Sequence, residues 1–259
     1  MDRIMSFAPA TETFQLFLNK VQVRSPLSAE EQEAVLRLPA RPRQIAAHGE
    51  IVRLGEQVSH SCLVASGLVS RFSQMEDGRR QHISFHIAGD MVDLYSLMLP
   101  AAPSALVALT ATTIFEIPHA ALSELAFRFP ALAAAFWREC VIDGNIVAQW
   151  LVSAGRRDAR GRLAHLLCEM AVRSAQIGKY VDGSFPFPIT QEQISDALGL
   201  TSVHVNRSIK ALREEGLIQT SRGMVTILDW EALSFAGEFD PAYLHLPPLP
   251  RTEVRAVTV

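Results

Sequence analysis

Residues 189–218 read ITQEQISDALGLTSVHVNRSIKALREEGLI, and this stretch decides the fold of the C-terminal part of the chain. Thr190 is placed as an N-cap, and Gln193 three residues later completes a capping box. Gly199 can take the left-handed conformation that ends a helix, and Thr201 can cap a second helix two residues further on. A capped helix, a tight glycine turn and a second capped helix predict a helix-turn-helix.

The second helix of this pair separates an apolar face from a polar one. At about 100° per residue, Val205, Ile209 and Leu212 share the face that must pack inward. The opposite face carries Val203, Asn206, Arg207, Lys210 and Glu214. Asparagine can contact an adenine edge, and arginine a guanine edge, through two hydrogen bonds each. The pattern therefore predicts a recognition helix in the major groove of DNA.

Two short apolar segments follow the second helix. Leu217 to Thr220 and Met224 to Leu228 read as strands joined by Ser221-Arg222-Gly223, which predicts a hairpin wing with Arg222 at its tip as a phosphate contact. A charged helix face alone would also fit a solvated surface without any ligand. The complete order of helix, turn, helix and hairpin favours a winged helix-turn-helix, within a DNA-binding domain predicted at residues 158–235.

Upstream, between about residues 44 and 117, short apolar runs are separated by turns. Gln81 to Ile87 alternates cleanly, with its apolar side chains on one face of a strand. Many short strands at this spacing are typical of a small antiparallel roll and do not fit a parallel α/β sheet. We predict a β-roll sensor domain at residues 26–128, preceded by an N-terminal arm at residues 1–25.

A long helical pattern begins after Pro130 and continues to about Ser153. At about 1.5 Å per residue this helix is more than roughly 30 Å long, which exceeds what a small roll can cover. We expect part of its apolar face to contact a second copy of the chain, although a helix packed only on its own domain would show a similar pattern. The stripe predicted to make this contact contains Phe136, Cys140, Val147 and Leu151. Residues 129–157 are assigned to this dimerisation helix and a hinge.

The last segment, residues 236–259, is rich in proline and predicts an extended tail. The predicted fold class is therefore α+β. An N-terminal antiparallel β-roll is followed by a long dimerisation helix and a C-terminal winged helix-turn-helix.

Composition limits the classes of function. The chain has 259 residues, of which 49% are hydrophobic and 20% charged, with a net charge of −3. A negative net charge does not favour DNA binding, so the basic residues must cluster on one face. No apolar run reaches the roughly 18 residues that span a bilayer, and the first residues lack a secretory signal. We therefore expect a cytoplasmic protein without membrane association.

No sequence motif predicts a metal site, a cofactor or an enzyme. Cys62, Cys140 and Cys168 are far apart and odd in number, so small buried hydrophobic residues are expected rather than disulfides or zinc ligands. His82 and His86 lie four residues apart on a strand, about 13 Å from each other, and are predicted to be polar residues of the roll surface. The sequence shows no nucleophile–base pair and no phosphate loop.

The order of roll, long helix and terminal winged helix resembles the Crp/Fnr family of bacterial transcription regulators, over about residues 28–235. The most specific part is residues 189–218, which aligns with the family without gaps, and Asp158 to Ala164 resembles the start of the family's DNA-binding domain. The turns of the roll also resemble the family, because Gly67, Gly78 and Gly89-Asp90 match turn positions of its cyclic-nucleotide-binding-type β-roll.

The resemblance implies roles for individual residues of the helix-turn-helix. Thr190 and Thr201 match positions that contact phosphates, while Ser202, Val203 and Arg207 match positions that read bases. Arg207 keeps the family's guanine-reading arginine. Val203 stands where the best-known members carry glutamate, which accepts a hydrogen bond from cytosine. We therefore expect a different half-site at that position.

The sensor half departs from the family pattern. Asp93-Leu94 stands where cyclic-AMP-binding members place a Gly-Glu pair for the ribose, and Pro103-Ser104 where they place an arginine for the phosphate. These four residues are the candidate effector pocket, and without the arginine we expect no control by cyclic AMP. No cysteine precedes Cys62, so the iron–sulfur route of oxygen-sensing members is not expected. An uncharged ligand, or a pocket filled by the protein's own side chains, remains open.

Two functions from different classes fit these observations. The first is a homodimeric regulator that binds a palindromic promoter site on double-stranded DNA, with RNA polymerase as a further partner. The second is a ligand-binding signalling module whose winged helix contacts protein. The outward alignment of Asn206, Arg207 and Lys210 favours the first. Redox control through Cys140, if it lies on the dimer contact, is a weaker prediction.

Overall fold

A computed structural model describes residues 10–99 and 101–246 of the chain. The chain divides into two compact units, Met1–Trp150 and Leu151–Val259. Among the described helices, none is both long and apolar enough to cross a membrane.

The first unit is built from two antiparallel sheets with helices before and after them. Its elements are α1 (Ala10–Gln22), α2 (Ala29–Leu36), β1 (Arg41–Ile45), β2 (Glu50–Val52), β3 (His60–Ser66), β4 (Val69–Gln74), β5 (Arg80–His86), β6 (Ala105–Ala108), β7 (Thr112–Pro118) and α3 (His119–Arg128). The strand orders are β1-β7-β3 in one sheet and β2-β6-β4-β5 in the other, with antiparallel neighbours. This topology confirms the antiparallel β-roll.

Strand β5 carries a β-bulge. Ile83 is an extra residue between the pairs that His82 and Ser84 form with β4. An extra residue interrupts the alternation of side chains between the two faces of a strand. His82 and His86 are 3% and 5% exposed. The prediction that these histidines lie on the roll surface was therefore wrong.

The structure differs from the predicted N-terminal arm at residues 1–25, because α1 packs into the core of the first unit. Its buried apolar residues are Phe14, Phe17, Leu18 and Val21. Lys20, also buried, forms an ion pair with Asp90. Gly89 lets α1 approach the turn after β5 closely, since a Cβ at this glycine would lie 3.1 Å from Leu16 Cβ. Helix α1 thus belongs to the packed first unit and is not an arm.

The long helix α4 (Pro130–Arg156) is confirmed, but its exposed face differs from the predicted one. Phe136 is buried in the core of the first unit, and Cys140 packs against that core. One row of exposed positions on the helix consists of Ala134, Trp137, Val141, Gly144, Ala148 and Leu151. They follow each other at intervals of three and four residues, the spacing of a coiled-coil seam. Leu151 belongs to both stripes, whereas each of the other predicted residues lies one position before an exposed residue of this row.

Cys140 therefore lies beside the exposed stripe rather than on it. Burial, together with Asp143 and Glu139, raises the pKa of its thiol to about 11. The thiol is protonated at neutral pH, and the thiolate is the species that reacts with oxidants. A protonated thiol beside the stripe does not favour redox control at Cys140.

The second unit contains the helix-turn-helix and its wing. Its elements are α5 (Ala159–Gln176), β8 (Ser184–Pro186), α6 (Gln191–Leu198), α7 (Ser202–Glu214), β9 (Ile218–Ser221), β10 (Met224–Ile227) and α8 (Trp230–Gly237). The strands pair in the order β8-β10-β9. Asp158 caps α5 by accepting a hydrogen bond from the amide of Gly161 at 2.7 Å.

The predicted extended tail begins too early, because ordered structure continues beyond residue 236. Gly237 lies at the end of α8 against α5, where a Cβ would come within 2.6 Å of the His165 backbone nitrogen. A 3₁₀ turn, Pro241–Leu244, follows, and the Tyr243 hydroxyl donates to Glu169 on α5 at 2.9 Å. Residues 247–259 lie outside the described part of the chain.

Candidate DNA-binding interface

The two helices of the helix-turn-helix begin and end at the residues that the sequence predicts. Thr190 caps α6 in a capping box, with its hydroxyl 3.1 Å from the Gln193 amide and its own amide 2.8 Å from Gln193 Oε1. Gly199 ends the helix with a φ of 62°. Thr201 caps α7 by accepting from the His204 amide. Local hydrogen bonds therefore fix where α6 begins and ends and where α7 begins.

Buried residues on the inner faces of both helices hold them on the rest of the second unit. On α6 these are Ile194, Ala197 and Leu198, and on α7 they are Val205, Ser208 and Leu212. Val205 and Leu212 are fully buried. With the inner face occupied, the opposite face of α7 is the one available to another molecule.

The outer face of α7 presents the predicted base-reading residues to solvent. Ser202, Asn206 and Arg207 are exposed, and Val203 has 58% of its surface exposed. Lys210 is also exposed, with its Nζ 3.6 Å from a Glu214 carboxylate oxygen. An ion pair between two exposed side chains contributes little to stability, so Lys210 can exchange it for a phosphate.

The wing places a further cation next to this helix. Arg222, at the turn between β9 and β10, is exposed and has a positive φ of 47°. A groove of about 470 Å³ lies between α7 and the wing, and its lining includes Asn206, Lys210, Arg213 and Arg222. Three cationic side chains around one groove suit a phosphate backbone.

Two residues of this surface were missed in the sequence analysis. Arg213 lines the groove, and because it follows Asn206 by seven residues, about two helical turns, its spacing in the sequence could have placed it on the same face. Gln191, the first residue of α6, donates from Nε2 to Asn206 Oδ1 at 2.9 Å. A wheel of one helix cannot reveal a contact between two helices. The only signal in the sequence was a polar residue directly after the N-cap.

In the roll, the predicted effector residues do not form one open polar pocket. Leu94 and Ser104 are buried, whereas Pro103 is exposed. Asp93 is 2% exposed, and its Oδ1 accepts from the Cys62 amide at 2.7 Å. Its other oxygen has no hydrogen-bond partner among the described residues. Burial raises the pKa of Asp93 to about 7.

A buried arginine that the sequence analysis did not single out lies in the same part of the roll. Arg71 on β4 forms an ion pair with Asp143 on α4, with 2.6 Å between Nη1 and Oδ2. Its guanidinium also lies over the Tyr95 ring, 4.7 Å from the centroid, and donates to the Val92 carbonyl. The positive charge of Arg71 is therefore already paired within the protein.

The roll histidines are likewise engaged with neighbouring side chains. His82 Nδ1 is 2.7 Å from Ser70 Oγ, and His86 Nε2 is 2.8 Å from Ser84 Oγ. Burial lowers the pKa of His82 to about 4, so its ring is neutral at pH 7. Within residues 10–99 and 101–246, no three His, Cys, Asp or Glu side chains are grouped to hold a metal ion.

Comparison with known proteins matches both halves of the chain to described families. A model of cyclic nucleotide-binding domains matches residues 42–129, and a model of Crp-like helix-turn-helix domains matches residues 161–235. The fumarate and nitrate reduction regulatory protein of Vibrio cholerae is 23% identical over 236 residues, covering 91% of this chain and 94% of that protein. The chain belongs to the Crp/Fnr family of transcription regulators.

Other regulators of the Crp/Fnr family are also similar to the chain in sequence or in fold. The transcriptional activator protein FnrA of Stutzerimonas stutzeri is 26% identical over 203 residues, covering 78% of this chain and 83% of FnrA. Among solved structures, FixK2 from Bradyrhizobium japonicum superposes with a TM-score of 0.70 at 24% identity, covering 77% of this chain and 98% of FixK2. The solved structure supports the fold of this Crp/Fnr chain.

Proposed function

We propose that this Crp/Fnr chain is a homodimeric transcription regulator that binds a palindromic DNA site, with α7 in the major groove. The observation that carries the proposal is the exposed row of Asn206, Arg207 and Lys210 on a helix whose other face is buried. Thr190, Thr201 and Arg222 flank this row and supply phosphate contacts, while Ser202 and Val203 face the bases at the start of the helix.

The exposed stripe of α4 supports the homodimer. Trp137 and Val141 have 66% and 60% of their surfaces exposed, which is unfavourable for apolar side chains in water. Gly144 has no atom within 4 Å of the place where a Cβ would stand, so a second helix could approach closely there. A second copy of α4 would cover the stripe, and a two-fold symmetric dimer matches a palindromic site whose half-sites lie about 34 Å apart, one turn of DNA.

A charge on the stripe tests the homodimer. We expect Val141→Glu to convert the protein from a dimer to a monomer in size-exclusion chromatography with light scattering, and to remove cooperative binding to a palindromic site. Gln149→Glu adds the same charge to the same helix one position away from the stripe, and should leave the dimer intact. A dimer that survives Val141→Glu with unchanged stability would contradict the assignment of the interface.

We propose that cyclic AMP is not the effector. Asp93 is turned into the roll, where it accepts from the Cys62 amide, and Pro103 supplies no charge for a phosphate. Arg71, the nearby cation, is paired with Asp143. Isothermal titration with millimolar cyclic AMP should give no binding heat and no change in DNA affinity. A tenfold gain in sequence-specific affinity would contradict this.

We also propose that the protein is located in the cytoplasm and acts on RNA polymerase. The support for this proposal is family membership and the printed name of the FnrA relative as a transcriptional activator. In transcription with purified RNA polymerase, adding the protein should change the yield from a promoter that carries its site, upward for an activator and downward for a repressor. An unchanged yield on an occupied site would contradict a direct role in transcription.

Selection of bound sequences from a random DNA pool tests the core of the proposal. The account predicts an inverted repeat with half-sites about one helical turn apart. Binding should weaken steeply with salt, because several cations contact phosphates. Recovery of no common sequence would contradict a sequence-specific regulator, and would favour a winged helix that contacts protein.

A further inference from the structure

The hydrogen bond between Gln191 and Asn206 links the two helices of the helix-turn-helix through side chains alone. Gln191 Nε2 donates to Asn206 Oδ1 at 2.9 Å, between residues 15 positions apart in sequence. We propose that Gln191 is a positioning residue that orients the Asn206 amide for the recognition of adenine. The inference rests on the proposed function, since it concerns how the same helix reads DNA.

Both ends of this hydrogen bond are anchored to rigid backbone. Gln191 directly follows Thr190, whose capping box fixes the first turn of α6. Asn206 is preceded by Val205, which is fully buried, and Ser208 two residues later is also buried. The backbone on either side therefore cannot move freely. Only the side-chain torsions of the two amides remain variable, and the hydrogen bond restrains both.

The direction of the hydrogen bond decides what Asn206 can still offer to a base. An asparagine amide has two acceptor lone pairs on Oδ1 and two donor hydrogens on Nδ2. Gln191 occupies one lone pair, which leaves the second lone pair and both hydrogens free for a ligand. Adenine presents the N6 amino group as a donor and N7 as an acceptor in the major groove, which matches this pair.

Holding the Asn206 amide in one orientation increases its preference for adenine over the other bases. An unrestrained amide can rotate and exchange its donor and acceptor ends, and it loses side-chain entropy when DNA binds. Gln191 is exposed but uncharged, so its removal alters no attraction to phosphates. Its effect should appear in the preference for adenine at one position and not in the affinity for DNA in general.

Gln191→Met tests the inference, because methionine has a similar length and no amide donor. Binding is measured to the selected site and to the three sites that replace the adenine read by Asn206, which is identified as the base whose preference Asn206→Ala removes. We expect the preference for adenine to fall roughly two- to tenfold, the scale of freeing one ordered side chain. Affinity for unrelated DNA should stay within about twofold, since no charge changes.

Glu192→Gln is the matched control, because it changes the charge of the exposed neighbour of Gln191. It should raise affinity for every sequence alike and leave the base preference unchanged. A double-mutant cycle adds the decisive comparison, since Gln191→Met should have no further effect in the Asn206→Ala background.

An unchanged adenine preference in Gln191→Met would overturn the inference, as would a loss of affinity for the selected site that is equally large in the Asn206→Ala background. So would an Asn206→Ala variant that keeps every base preference while Arg207→Ala loses one. These outcomes differ from failure of the proposed function, in which the unmodified protein selects no sequence at all and the inference falls with it.

Discussion

Helix α7 and strand β5 both carry polar side chains, but those of α7 face solvent and the histidines of β5 are buried. On α7, Asn206 and Arg207 face solvent above a buried apolar face. On β5, His82 is buried and hydrogen-bonded to Ser70. Polar groups that face outward from a fixed scaffold are available to another molecule, whereas enclosed ones are largely satisfied within the protein.

The same contrast holds for charge. The net charge of the chain is −3, yet Lys210, Arg213 and Arg222 surround one groove of the second unit. In the first unit, Arg71 is paired with Asp143. The grouping of exposed cations therefore indicates what the DNA-binding half contacts, while the roll gives no comparable indication of a charged ligand.

The largest expected effect tests whether α1 belongs to the roll. Phe14→Ala removes a side chain that is 1% exposed, and we expect the free energy of unfolding of the first unit to fall by about 3–5 kcal/mol. Thermal denaturation measures this change. Gln15→Ala, at the exposed neighbouring position, should change stability by less than about 0.5 kcal/mol. Equal effects of both substitutions would show that α1 is an arm after all.

The second prediction concerns the enclosed carboxyl group of the roll. The pKa of Asp93 is raised to about 7 in the folded protein, while an unfolded aspartate titrates near 4. The folded state therefore holds this proton more tightly, and stability should fall as pH rises from about 4 to 7. Below that window the ionisation of Asp93 takes nothing from the free energy of unfolding. Above it the full loss of stability remains.

Asp93→Asn removes the charge and keeps an acceptor for the Cys62 amide. We expect this variant to be more stable than the unmodified protein at pH 8 by about 2–4 kcal/mol, and the gain to shrink towards pH 4. Urea denaturation at both pH values measures it. A gain that does not depend on pH would contradict the raised pKa.

The smallest expected effect concerns the wing. Arg222→Ala removes one cation at the turn, so the slope of log affinity against log salt should become shallower by about 0.9 for each half-site. Base preferences should stay as they are, because a phosphate contact carries no sequence information. Competition binding over a salt series measures both. A changed base preference would place Arg222 in contact with a base instead.

The parts of the fold that depend on local sequence could be predicted. Thr190, Gly199 and Thr201 cap or end their helices through contacts within three or four residues, and the structure confirms all three. The roll and the long helix were also predictable, because turns and apolar periodicity recur along the sequence. Their confirmation rests on strand pairing and helix bounds.

The parts that depend on distant contacts could not be predicted. His82 and His86 are both buried, and β5 carries a bulge at Ile83 that the sequence of a single strand does not reveal. The face of α4 that is exposed depends on how Phe136 packs into the core. The contact of Gln191 with Asn206 joins two helices, so neither helix alone predicts it.

The most direct test of the central claim is the binding of Arg207→Ala to the selected DNA site and to a site with the guanine replaced. The account predicts that the unmodified protein prefers the guanine site and that Arg207→Ala loses about 1–3 kcal/mol of this preference, roughly five- to 150-fold. Stability should not change, because Arg207 is exposed. An unmodified protein without sequence preference, or an Arg207→Ala variant that keeps the full preference, would contradict the account.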